Sequence, residues 1–238
     1  MDTFTAFMII VYAGIMHATF QLSVSVLTLL SGHSLGKGRS RRNLFKLTSS
    51  FVLGSIVSLS LLISFATLMI YNIYSPQIPT LVWTIVSGLV AGIGISVWLF
   101  YYGKSKGTVL WVPRPISEYL RSRTQDTSNS VEAFSLGVMG VLGEILFTIA
   151  PISVASLVLV KLDPKIQLAG LFTYVLIAVL PIIVLWILVR RGHKISHLQK
   201  WREKNKFFMQ FISGIGLLAL AVYVYINEVM TTAVTGVL

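Results

Sequence analysis

Six long apolar stretches, separated by loops that alternate between strongly basic and nearly uncharged, constrain this chain most. They run roughly over residues 4–32, 47–71, 80–102, 133–160, 167–189 and 207–227, each nearly free of Lys, Arg, Asp and Glu. A spanning helix needs about 20 apolar residues, so each stretch is long enough to cross a bilayer. Hydrophobic residues make up 55% of the 238, charged residues 11%, and mean hydropathy is +0.82. A soluble domain of this size needs far more charge to cover its surface. The expected fold class is therefore an all-α membrane protein with six transmembrane helices.

A formal net charge of +11 would suit nucleic acid, but its placement argues for topology instead. Seventeen of the nineteen Lys and Arg fall in three loops: Lys37 to Lys46, Lys104 to Arg123, and Arg190 to Lys206. Cytoplasmic loops carry the Lys/Arg excess. These loops are expected in the cytoplasm, against anionic headgroups of a bacterial cytoplasmic membrane, with both termini outside. No stacking aromatics accompany the charge, so no nucleic-acid partner is expected. Cysteine is absent, which removes disulfides, thiolate metal sites and thiol exchange. The start, Met1-Asp2-Thr3-Phe4, lacks a basic n-region and is read as entering the first spanning helix, not as a removed signal.

Polar residues inside the apolar stretches mark candidate function. In the first stretch His17, Gln21, Ser25 and Thr28 share a helical face by their spacing. A polar stripe should face the bundle interior, because unpaired polar groups in lipid are costly. The fourth stretch carries Glu144, Thr148 and Pro151, and Pro151 is expected to kink or break its helix. His17 and Glu144 are read as the only ionisable groups deep in hydrocarbon. The second stretch is rich in Ser, and Gly88, Gly92 and Gly94 in the third and Gly214 and Gly216 in the sixth are expected to let helices pack closely. His193 and His197 have a spacing that can bind a metal, but in so basic a loop a solvated face is the preferred reading. Asn129 and Glu132 resemble a capping box opening helix four. Trp111 to Arg123 is expected to lie on the membrane surface.

The chain also repeats itself. Gly14-Ile15-Met16 aligns with Gly137-Val138-Met139 at an offset of 137 − 14 = 123, which places Gln21 over Glu144. Ser50-Phe51-Val52-Leu53 meets Thr173-Tyr174-Val175-Leu176 at the same offset, and Ala91-Gly92-Ile93-Gly94 meets Ser213-Gly214-Ile215-Gly216 at 122. The division is 1–102, a linker loop at 103–131, and 132–238. Each half has an odd number of helices, so the halves should run in opposite directions, an N-out/C-out inverted repeat. Such repeats characterise secondary transporters, whose sites lie where paired, broken helices meet near the midplane.

A 3+3 inverted plan with polar or Pro-interrupted first and fourth helices resembles the LysE superfamily of exporters, which includes the DsbD/CcdA-type membrane proteins. Thr148-Ile149-Ala150-Pro151-Ile152 is similar to the threonine-alanine-proline segment of the CcdA-type fourth helix. The resemblance implies a six-helix exporter fold. The redox cysteines are missing, so thiol electron transfer is not implied, and the acidic pairs of the metal-exporting branches are missing too.

The expected function is transport or export of a small solute or cation by alternating access. His17, Gln21, Glu144 and Thr148 would form the binding site or proton relay, coupling transport to protons or holding a cation through N and O ligands. Alternatives are a non-transporting scaffold or assembly subunit, or a CcdA-like protein without electron transfer. No catalytic constellation and no cofactor is expected. The bilayer and the solute are the expected partners, with a homo-oligomer left open.

Overall fold

The computed structural model describes residues 2–20, 24–30, 41–74, 77–100, 118–120, 122–124, 127–191, 201 and 204–231. Gln21, His193 and His197 lie outside the described residues. Every element among those described is helical. In chain order they are α1 (Thr3–Thr19), α2 (Val24–Leu30), α3 (Arg41–Tyr74), α4 (Thr80–Phe100), α5 (Ser130–Gly143), α6 (Ile145–Lys161), α7 (Pro164–Arg190) and α8 (Lys206–Val224). A π-helical turn, Tyr225–Met230, continues α8.

Four helices are long and apolar enough to cross a membrane by themselves: α3, α4, α7, and α8 with its π turn. The pairs α1/α2 and α5/α6 each pass the same test jointly, bent by more than 40° at a short break, so up to six spans are present. The chain is an integral membrane protein.

Local chemistry sets the boundaries. The Asp2 carboxylate accepts from the Thr5 backbone N–H at 3.3 Å, capping α1. That hydrogen bonding also holds its carboxyl below the usual aspartate range. Asn129 caps α5 by accepting from Val131 N–H at 3.0 Å. Glu132 lies 3.8 Å from Arg123, so the Asn129 half of the expected box is seen, with Glu132 beside a loop arginine. Asp163 caps α7 with Pro164 at the first helical position, where a missing N–H costs nothing.

The helix break expected at Pro151 lies elsewhere. Pro151 sits inside α6, and the chain turns by 77° between Gly143 and Glu144. The reason is local sequence: Gly137, Gly140 and Gly143 weaken the end of α5, and Glu144 takes a φ of −87° and ψ of −6°, the bridge conformation in which a helix turns off its axis. The single polar stripe expected along the first span is likewise interrupted, because α1 ends at Thr19 and α2 begins at Val24.

α6 forms the centre of the bundle. Ala150, Pro151, Ile152 and the whole run Val154 to Leu159 are buried. Around it α1 packs on α7, α5 on α3, and α4 on α8. Glycines decide how closely they approach. A Cβ built on Gly54 would strike the Phe134 carbonyl, and one on Gly137 would strike the Phe51 carbonyl, so α3 and α5 meet backbone to backbone. Gly94 and Gly214 face each other, a Cβ on either coming within 3.2 Å and 3.0 Å of the other's carbonyl oxygen. Gly216 backs onto Met16, and Tyr12 donates to its carbonyl at 3.0 Å. Gly88 and Gly92 do not pack: nothing lies within 4 Å of a Cβ placed on either. The buried stripe of α4 is Trp83, Ser87, Val90, Gly94 and Val97, and Gly88 and Gly92 fall on the opposite side, toward lipid.

Candidate functional site

The breaks in the two bent pairs meet. α1 ends with His17 buried in its last turn and Phe20 as its cap. Phe20 stacks on Phe147 from the first turn of α6, centroids 5.7 Å apart and planes at 17°. Glu144, at the corner between α5 and α6, is 6% exposed. Its backbone is pinned from both sides: its N–H donates to the Val141 carbonyl at 3.1 Å, and its carbonyl accepts from the N–H groups of Phe147 at 3.0 Å and Thr148 at 3.1 Å.

His17 and Glu144 wall one enclosed cavity of about 10 Å³, together with Phe20, Val24, Val141 and residues of α3 and α7. A single water needs roughly 10–15 Å³ of such space. The cavity is an occluded point between the two breaks, not a vestibule for a solute.

His17 has a partner that sequence reasoning missed. Its Nδ1 lies 2.8 Å from the Tyr174 hydroxyl, and the two rings meet edge to face at 5.7 Å. Tyr174 is fully buried in α7. The repeat alignment had already placed it over Phe51, another fully buried ring, but nothing in the sequence says that its hydroxyl reaches an imidazole 157 positions away.

Thr148 does not join the cavity. Its hydroxyl donates to the Glu144 carbonyl at 3.1 Å, as Thr in helices commonly does with the residue four before it. It steadies the corner and presents no ligand atom to the space between the breaks. Among the described residues no group of three His, Asp or Glu side chains is placed to hold a metal ion.

A second buried ionic cluster lies at the opposite end of α6. Glu228, in the π-helical turn, is 6% exposed and pairs with Lys161. The Lys161 ammonium also sits 4.7 Å from the centre of the Trp83 ring. Glu144 is thus not the sole buried carboxylate, though Glu228 lies near the end of its span. The apolar stretch ending at 227 stops one residue short of Glu228, and carrying the helical period a turn further would have brought it in. π-helical turns recur at functional sites in proteins. Two buried hydroxyls in the same part of the bundle, Ser87 on α4 and Ser156 on α6, have no hydrogen-bond partner, and each such orphan costs about 1–3 kcal/mol.

Comparison with protein-family models, with curated proteins and with solved structures finds no match to this chain.

Proposed function

We propose that the chain is a small membrane transporter that moves a small solute or cation by alternating access, built from two inverted three-helix halves, with His17 and Glu144 at the point both sides share. The observation that carries the proposal is that two broken spans bring a buried imidazole and a buried carboxyl to one enclosed cavity. Broken helices meeting at mid-span are how transporters place polar groups in hydrocarbon, and intramembrane ionisable groups are costly enough to imply use.

Two further observations support the halves being related. A Cβ built on Gly14 would lie 3.4 Å from the Tyr174 carbonyl oxygen, and one on Gly137 would strike the Phe51 carbonyl. Both members shift by the same offset, 137 − 14 = 123 and 174 − 51 = 123. Exchanging the halves turns α1 on α7 into α5 on α3, while α4 on α8 and α3 on α7 map onto themselves. The third helices need a different register from the one their sequences favour. A two-fold axis through the α4–α8 crossing relates Gly94 to Gly214, an offset of 214 − 94 = 120, not 122.

Proton coupling would run through His17, Tyr174 and Glu144, since chains of His and carboxyl side chains inside membranes are the usual proton relays. The resemblance to the LysE superfamily of exporters fits the same plan. The scaffold alternative draws on a specific observation: the cavity is smaller than any solute, and His17 is hydrogen-bonded in a packed wall. Flux assays on purified protein in liposomes separate the two. Transport requires that a substrate and proton gradient drive flux, and that Glu144→Gln and His17→Ala reduce it by at least tenfold. Equal flux in both variants removes the site assignment. No flux for any candidate solute, with co-purification of a defined partner, supports the scaffold.

A further inference from the structure

A groove of about 440 Å³ opens between the start of α3 and the end of α7, lined by Arg42, Leu44, Phe45, Thr48, Val189 and Arg190. One wall is an aromatic stack. The Arg190 guanidinium lies 5.3 Å from the Phe45 ring and 6.0 Å from the Trp186 ring, and those two rings are 5.7 Å apart. Trp186 Nε1–H donates to the Ser49 hydroxyl at 3.1 Å, tying α7 to α3 beside the groove. The result is an apolar slot with two guanidinium groups lining it. No acidic residue lies in the first turn of α3, so the positive end of that helix adds to the same field.

Depth selects the kind of ligand. At 1.5 Å per residue, the 34 residues of α3 span about 51 Å, against a hydrocarbon core of about 30 Å. Its charged end therefore stands in the headgroup layer, with the slot running from there toward the acyl chains. Arginine forks match phosphate oxygens in geometry and charge. The other end of the same helix pair supplies a comparison. A second groove of about 440 Å³ opens there, lined by Ser64, Thr67, Tyr71, Gln167 and neighbouring leucines, with no charged residue among the described ones. Either slot suits an acyl chain, but only the first can distinguish lipids by headgroup charge.

We propose that the Arg42–Arg190 groove is a binding site for an anionic phospholipid, its phosphate held by the two guanidinium groups and an acyl chain lying along Leu44, Phe45 and Val189. The site does not depend on whether the protein transports.

Native mass spectrometry of the detergent-purified full chain, incubated with an equimolar mixture of phosphatidylglycerol and phosphatidylcholine, tests it. The wild type is expected to retain phosphatidylglycerol preferentially, by about fivefold for each arginine. Arg42→Gln should lose about fivefold of that preference, and Arg42→Gln with Arg190→Gln should lose all of it. Arg42 is exposed, so its single variant keeps the test valid where loss of the Arg190 stack disturbs the fold. Lys165→Gln, at the far end of α7, should leave the preference intact. Equal retention of the two lipids by the wild type, or an unchanged preference in Arg42→Gln, overturns the proposal. Displacement of the lipid by millimolar glycerol phosphate also overturns it, assigning the groove to a free phosphate ester.

Discussion

Under the proposed two-fold relation the α1–α7 and α5–α3 interfaces hold corresponding places, yet they are built differently. At Gly137 the opposing atoms are backbone, from Phe51 and Ser55, and the Ser55 hydroxyl lies 3.3 Å from the Gly137 carbonyl. A Cβ built on Gly14 would instead meet Cβ and Cγ2 of Ile177, at 3.1 and 3.2 Å. A shift of a few tenths of an ångström accommodates the contact at Gly14, whereas backbone pressed on backbone at Gly137 has no such room. The difference identifies α3–α5 as the rigid seam of the bundle and α1–α7 as the contact with give. His17 and Tyr174 meet across the yielding one. If the cavity at His17 and Glu144 opens during a transport cycle, α1 moving against α7 is the motion least opposed by packing.

Substitutions can break or sharpen this contrast. Gly137→Ala should be the most damaging, destabilising by about 3 kcal/mol or more, at the top of the overpacking range. Its thermal unfolding in detergent, followed by circular dichroism, should fall well below that of the wild type. An unchanged midpoint would mean that the seam is not rigid. Tyr174→Phe keeps the ring and removes the hydroxyl next to His17 Nδ1, at a cost of about 1–3 kcal/mol for a buried group left unsatisfied. The same variant should alter the pH profile of any flux if the hydroxyl serves the imidazole. Gly14→Ala should cost only about 1 kcal/mol, since a shift of a few tenths of an ångström between α1 and α7 makes room for the methyl. A loss equal to that of Gly137→Ala would erase the distinction between the interfaces. Gly92→Ala should leave stability unchanged or raise it by up to about 1 kcal/mol, because the added methyl meets open space. A loss there would show that the outer face of α4 is covered by another chain.

The glycines show what could be read beforehand. Gly88 and Gly92 have the spacing of a helix contact, yet of the five glycines expected to pack in the third and sixth stretches only Gly94, Gly214 and Gly216 touch another helix. Spacing states that glycines share a face, and the packed partner determines whether that face is inward. Glu144 was legible as a candidate because a carboxylate in a long apolar run stands out. Tyr174 was not, because tyrosine in such a run is ordinary until its hydroxyl is placed against an imidazole. The break went to Gly143–Glu144 instead of Pro151. A proline removes one donor, which a buried, well-packed helix tolerates, while three glycines at the end of α5 remove the side-chain contacts that would have kept the chain straight.

By itself the sequence determined that this is a helical membrane protein with basic loops on alternating turns, because hydropathy and charge act locally and need no partner. It also marked His17 and Glu144, since an ionisable group in hydrocarbon is costly wherever the helix faces. Only the tertiary structure decided that His17 bonds Tyr174, that Glu228 pairs with Lys161, that Thr148 turns back to its own backbone, and that α3 and α5 fuse at Gly54 and Gly137. Those outcomes depend on which helix faces meet, and such contacts are set by packing between residues far apart in the chain.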